Sequence, residues 1–423
     1  VVIVEMLCYV WRMQDLFPVL VSLKAPILSS VAGLVLVVAS PAALRSLKRM
    51  QHPVMKLVLV LLAIIVLSVP GSIYPGSSFN FIEVDHIKTI LLVVVMVVSV
   101  RAFVDLERFA AAQVLGGAIY SLFVIFRLQV GSDGRLGSLF YYDANDLGML
   151  LVCTIPLILF FSRRGSPMPI RVLSWMVGAV FLVAIVKTGS RGAFLGIIAV
   201  TVFALFTFAA MPVRTRAGIV VGGLLAFSFI ASDQYWTLMR TLLNPQDDYN
   251  WTGKSETGRM EIWKRGIGYM MDRPLTGVGV AQFPMAEGTL SPLAVRQKLG
   301  RGVRWAAAHN SFVQVGAELG LPGLLVFLAL LVTAFRALTS ISKHRIHDDP
   351  GRRRESALAQ ALRASMVGYV VTGFFLSQGY GAYVYSLFAM ITALNAVAQV
   401  PARAGARRWS DWWTPGRARR AGV

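Results

Sequence analysis

The stretch Val172–Met211, VLSWMVGAVFLVAIVKTGSRGAFLGIIAVTVFALFTFAAM, holds two apolar runs separated by the turn Lys187-Thr-Gly-Ser-Arg191-Gly192. At about 1.5 Å per residue, runs of this length approach a hydrocarbon core of roughly 30 Å. They read as two membrane helices joined by a short connection. Comparable runs recur at Ile27–Leu44, Val58–Val69 and Thr89–Val100. Across the 423 residues, 56% are hydrophobic and 15% charged, which would leave a soluble domain with more apolar surface than it can cover. Lipid is the natural solvent for such a chain.

Laid in order, the runs predict an all-α polytopic transmembrane bundle of about twelve spans. They fall near residues 1–11, 26–44, 54–70, 88–100, 109–127, 146–161, 172–186, 193–211, 217–231, 322–338, 364–378 and 384–399. Alternate loops are basic. Arg45, Lys48 and Arg49 form the first group, Arg163, Arg164 and Arg171 the second, and Arg214 and Arg216 the third. Lys343, Arg345 and Arg352 to Arg354 form the fourth, and the tail adds six arginines from Arg403 to Arg420. The positive-inside rule makes these cytoplasmic, both termini with them, while loops 71–87, 128–145 and 379–383 carry almost no Lys or Arg. The chain divides into N-terminal spans (1–231), a long extracytoplasmic loop (232–309), C-terminal spans (310–399) and a basic tail (400–423). It starts at Val1 with a short apolar run, so the true start is expected upstream. No cleavable signal peptide is evident, and the first spans would carry the targeting.

The net charge of +20 invites a nucleic-acid reading. The basic residues sit between apolar runs, without a basic helix or an aromatic-studded groove, so nucleic acid is not an expected partner. Cys8 and Cys153 lie in apolar segments and behave as small hydrophobes.

Residues 232–309 form a connection too long to be idle. Glu261–Met271, EIWKRGIGYMM, has the pattern of an amphipathic helix, with Trp263 and Tyr269 suited to a membrane interface. The loop is expected to fold as a cap. Arg191 stands at the mouth of two apolar helices, where a guanidinium needs a partner or an aqueous outlet; otherwise it costs roughly 2.5 kcal/mol or more. It either snorkels to headgroups or binds an anion. Gly192 and Gly196 form a small-xxx-small pattern for close helix approach. His309 closes the loop ahead of Asn310 and Ser311. Pro322 in Gly320-Leu-Pro-Gly323 predicts a short helix leading into a span rather than one straight rod. A helix starting near His309 would put His309, Gly316 and Gly320 on one face. Arg259 precedes Lys264 and Arg265 in the cap and alone would be a solvated loop arginine. Gly277-Val-Gly279 reads as a tight turn, His86 beside Asp85 as an interfacial ion pair, and His344 and His347 as solvated.

Together these sites resemble the O-antigen ligase and polymerase superfamily. The resemblance rests on Thr188-Gly-Ser-Arg191-Gly-Ala before a helix, Arg259 with Trp263 four residues on, and His309-Asn-Ser-Phe leading to Glu318-Leu-Gly-Leu-Pro-Gly323. Phe140-Tyr-Tyr-Asp-Ala-Asn145-Asp-Leu-Gly and Arg12-Met-Gln-Asp-Leu-Phe-Pro18 add to it. It implies a GT-C-like membrane transferase without metal or cofactor, in the bacterial inner membrane with its active site facing the periplasm. The donor would be glycan on undecaprenyl diphosphate. The acceptor would be the lipid A core in a ligase, or another lipid-linked unit in a polymerase. Arg191, Arg259 and His309 would be the essential residues, with Lys264, Arg265, Asn145 and Asn310 as further substrate contacts. Two guanidiniums would hold the diphosphate and a neutral imidazole would take the acceptor's proton, giving inversion by direct displacement. The leading expectation is a ligase, with a repeat-unit polymerase second. A flippase, from another class, would more naturally show internal repeats and polar midplane sites.

Overall fold

The structure, a computed structural model, describes residues 1–131, 134–137, 141–208, 211–244, 246, 248, 250–253, 255–296, 305–343 and 350–399. Phe140, His344, Arg345, His347 and the basic segment 400–423 lie outside the described residues. The described residues are helical, apart from turns and one isolated bridge between Val130 and Leu136.

Helices follow the apolar runs: α1 (Val2–Tyr9), α2 (Ala25–Ala39), α3 (Pro53–Ser68), α4 (Ile87–Ser99), α5 (Phe103–Arg127), α6 (Ala144–Ser162), α7 (Met168–Thr188), α8 (Arg191–Thr207) and α9 (Val213–Ile230). The cap contributes α10 (Arg259–Asp272), and the bundle closes with α11 (Ser311–Ser342), α12 (Pro350–Gly373) and α13 (Ala382–Ala398). Among the described residues, five helices are long and apolar enough to cross a membrane: α5, α6, α7, α9 and α11. The number is six if α2 and the bent continuation Pro41–Gln51, turned by 88°, count as one span. α3, α8 and α13 are shorter apolar helices. The expected twelve therefore meets five or six helices that qualify by themselves.

α6 is the hub. It packs on α5, α7, α8 and α12, and 67% of its apolar window is buried against 6% for α9, which lies at the rim. α13 is buried on all sides from Tyr383 to Leu394, as expected of an apolar helix in the middle of a bundle. The Gly192 and Gly196 pattern serves packing. A Cβ on Gly196 would lie 2.4 Å from Thr372 Cγ2, and one on Gly192 would lie 3.3 Å from Phe375 Cβ, so both glycines let α8 close on α12 and its end.

The cap helix α10 buries Ile262, Gly266 and Tyr269 against Val278, Phe283, Ala286, Ala308 and Ala317. The polar tips of Tyr269 and Trp263 each find a partner in the protein. The Tyr269 hydroxyl donates to Glu287 Oε1 at 2.8 Å and the Trp263 indole to the Ala308 carbonyl at 2.9 Å.

Three other expectations are refined. α11 is broken, but at Gly320, whose φ of 69° and ψ of −168° leave the helical region. The Leu321 amide donates to the Pro274 carbonyl there, and a Cβ on Gly320 would lie 2.4 Å from that oxygen. Pro322 then sits in the first turn of the following segment, where no amide is needed. Gly316 is covered by Met270 and Leu324. His86 makes no ion pair with Asp85. Neighbours on a helix point about 100° apart, and while Asp85 is exposed, His86 is buried among the rings of Phe81, Tyr380 and Tyr385. Gly277 and Gly279 do form a tight turn, both at positive φ.

Candidate active site

The turn between α7 and α8 is set residue by residue. Lys187 donates to the carbonyls of Val124, Ile125 and Leu128, closing the C-terminus of α5 with a positive charge. Thr188 Oγ1 donates to the Ile185 carbonyl and accepts from the Ser190 amide. Gly189 takes a φ of 59°, and a Cβ there would lie 2.5 Å from the Gly134 carbonyl. Ser190 caps α8 by accepting from the Ala193 amide at 3.2 Å. Arg191 is thus the first residue of α8, its guanidinium charge added to the positive end of the helix.

Arg259 has the same position on another helix, since it is the first residue of α10 behind Gly258. His309 lies just before α11, with a left-handed φ of 46° and its amide donating to Ser377 Oγ at 2.8 Å. Asn310 follows as the cap of α11, its Oδ1 accepting from Phe312 and Val313. Asp143 caps α6 by accepting from the amides of Asn145 and Asp146, both at 2.7 Å. Four helix N-termini therefore carry the candidate residues, and helix N-termini favour anions.

Contacts bring them together. A Cβ on Gly148 of α6 would lie 2.6 Å from Ala193 Cβ of α8, so those two ends touch. Arg191 pairs with Asp248 and donates to Thr241 Oγ1 at 2.9 Å. Asp248 Oδ1 accepts from Asn250 Nδ2 at 2.7 Å, and the Asn250 carbonyl accepts the Met260 amide, next to Arg259. The Trp251 ring meets Trp263 and Phe375, and Trp263 meets Phe374. Trp263 reaches Ala308, the neighbour of His309. Asp146 Oδ1 accepts from Gln378 Nε2 at 2.8 Å, fixing α6 to the turn that holds the His309 amide.

Residues 176–328 match the family model described as O-antigen ligase. This segment is similar to the O-antigen ligase family. No curated protein matches the chain. The matched segment contains Arg191, Arg259 and His309, and the match supports the O-antigen ligase/polymerase superfamily. Together with the apolar helices, the match supports an integral membrane protein. Asp143, Phe374 and Phe375 reach residues of the matched segment from outside it.

The electrostatics of the site are uneven. Burial, then the charge of Arg259, pushes the His309 imidazole down to about 4, against a pull upward from Asp143. Burial therefore favours the neutral imidazole, on which Arg259 and Asp143 act with opposite signs. Burial pushes Asp248 up, but hydrogen bonds from Asn250 and the Arg191 charge outweigh it and hold Asp248 below the usual carboxylate range.

The other expected contacts are arranged differently. Arg265 is committed to Glu287, with Nε at 2.9 and 3.1 Å from its two oxygens and Nη2 at 2.6 Å, while Nη1 donates to the Glu256 carbonyl. Lys264 is exposed and pairs with Glu261. Asn310 is buried and caps α11. Asn145 Nδ2 reaches Asp143 at 3.4 Å. Among the described residues, no group of three or more His, Cys, Asp or Glu side chains is placed to hold a metal. Sequence reasoning missed Asp248, Asn250, Asp143 and the aromatic set of Trp251, Phe374 and Phe375. The signal available was an acidic and aromatic run shortly before Arg259.

Beside the site an apolar groove of about 830 Å³ runs between α8 and α12. Its walls include Leu195, Val202 and Phe206 on one side and Val367, Val371 and Phe375 on the other. Phe375 belongs to both the groove and the aromatic set.

Proposed function

We propose that the protein transfers a glycan from undecaprenyl diphosphate to an acceptor hydroxyl at the periplasmic face of the bacterial inner membrane, both chain termini being cytoplasmic. The observation that carries this reading is the gathering of Arg191, Arg259 and His309 at helix N-termini around one aromatic set, beside an apolar groove. Arg191 and Arg259 receive the diphosphate, each adding a guanidinium to a helix N-terminus where anions are already favoured. Negative charge grows on the leaving diphosphate as the glycosidic bond breaks, so these donors act most strongly in the transition state. The groove between α8 and α12 takes the first isoprenes of the carrier.

His309 accepts the proton of the attacking hydroxyl. A histidine pushed down to about 4 is neutral and able to accept, although a weak base. The arriving diphosphate brings negative charge toward it, which strengthens it as a base at the step where one is needed. Direct attack gives an inverted anomeric centre. The acceptor is the lipid A core if the enzyme is a ligase, the reading we favour, and a second lipid-linked unit if it is a polymerase.

His309→Ala tests the chemistry in purified protein. Turnover is expected to fall about 10²- to 10⁴-fold, with binding of the lipid-linked donor retained. Turnover at the parent rate would remove His309 as the base. Sizing the glycans of a deletion strain separates the two acceptors. Long chains accumulating on the carrier indicate a ligase, whereas single repeat units without long chains indicate a polymerase.

A further inference from the structure

Arg191 does not stand open for an anion. Its Nη1 donates both to Thr241 Oγ1 and to Asp248 Oδ2, and the carboxylate is only 5% exposed. The two oxygens of Asp248 do different work. Oδ1 is fastened to the amide and the side chain of Asn250, at 3.1 and 2.7 Å, while Oδ2 is given to the arginine. Asn250 in turn accepts the Met260 amide at the start of α10. A carboxylate oxygen on a guanidinium nitrogen has the chemistry of a phosphate oxygen in the same place.

We infer that Asp248 is a resident counter-ion that competes with the donor's diphosphate for Arg191. The inference rests on the reading of Arg191 as a diphosphate ligand, and adds to it a residue that sets how tightly the donor and the spent carrier are held. A partly buried guanidinium without an anion is costly, and Asp248 supplies that anion while the site is empty. The diphosphate displaces Oδ2, and Asp248 stays attached through Oδ1 to Asn250, beside the second arginine. After transfer, the return of the carboxylate expels the diphosphate carrier. Asp248 is thus a positioning residue, acting through Arg191 without touching the reacting atoms.

The test is binding of farnesyl diphosphate to the full-length protein in detergent by calorimetry, with the donor kinetics alongside. Asp248→Asn removes the competing charge and keeps an oxygen for Asn250, so affinity should tighten about tenfold. The donor KM and kcat should fall together as release slows. Asp248→Glu keeps the charge and should bind like the parent. Weaker or unchanged binding in D248N overturns the proposal, and so does equal tightening in both variants, because damage or mere loosening would then explain it. Arg191→Ala separates this from the parent reading. If it leaves affinity intact, the diphosphate role of Arg191 falls; if it weakens binding while D248N does not tighten it, only the competition falls. Should D248N not fold, a structure of the parent protein with the diphosphate bound decides the matter. An opened Arg191–Asp248 pair supports the competition, and a retained pair overturns it.

Discussion

Two arginine–carboxylate pairs among the described residues of the matched segment, Arg191–Asp248 and Arg265–Glu287, are built to opposite specifications. Arg265 gives Nε and Nη2 to Glu287, which is buried, also accepts from Tyr269, and sits under the cap core. Nη1 of Arg265 is used by a backbone carbonyl. Arg191 meets Asp248 through one nitrogen, at the first residue of a helix and one residue from the aromatic set. A bidentate pair with every neighbour satisfied holds structure together. A single contact beside an apolar groove is one that another anion can replace. The difference shows that a basic residue in a polar loop must be judged by how many of its donors are already spent.

Replacing each arginine by lysine separates the two pairs most strongly. Lysine keeps the charge and loses the planar fork. Arg191→Lys should lower glycan transfer by about 10²- to 10³-fold, with its melting temperature unchanged. Arg265→Lys should lower the melting temperature and leave turnover per folded molecule close to that of the parent. A radiolabelled transfer assay run beside a thermal melt reads both. Near-parent transfer in R191K would exclude the fork, and loss of transfer without loss of stability in R265K would make Arg265 a ligand after all.

A smaller effect sharpens the structural side. Glu287→Gln leaves the Arg265 guanidinium partly buried with no opposite charge, which should cost about 3 kcal/mol. The loss is expected as faster hydrogen exchange across α10 and Phe283–Thr289, the elements that Tyr269, Arg265 and Glu287 join. Unchanged exchange there would mean that the pair is not what holds the cap.

The helices were largely legible, because apolar runs are strong, local signals, whereas the expected twelve spans meet five or six helices that qualify by length and composition. Helices do lie over Val172–Val186 and along α8 from Arg191, with the turn at Gly189 between them. The cap helix was legible for the same reason, since Ile262, Gly266 and Tyr269 recur at helical spacing. Its partners were not. Glu287 claims Arg265, and Asp248 claims Arg191, across separations of 22 and 57 residues that no spacing rule reads. His86 beside Asp85 suggested an ion pair only because neighbours in sequence were taken as neighbours in space. The break in α11 was anticipated from Pro322, yet Gly320 makes it, because only a residue without a Cβ fits against the Pro274 carbonyl. The left-handed backbone of His309 has no sequence signal, since histidine seldom adopts it without a scaffold.

The finest distinction between the two arginines of the cap helix is in what their charges reach. Arg259 pushes His309 down, whereas the charge of Arg265 is met by Glu287 at bonding distance. His309 works as a base only when unprotonated, so activity is lost as pH falls through its pKa, near 4 in the protein without donor. Arg259→Gln removes one of the two influences that lower it, while burial remains. The imidazole then holds its proton to a higher pH, and the acid limb of the residual transfer rate should move upward, toward the ordinary histidine value without reaching it. Arg265→Gln should leave the limb where it is. The comparison is best made by following the His309 ring protons by NMR in the donor-free protein, where diphosphate charge does not intrude. An unmoved His309 in R259Q would separate Arg259 from the imidazole, and an equal movement in R265Q would show that the Glu287 pair does not confine the charge of Arg265.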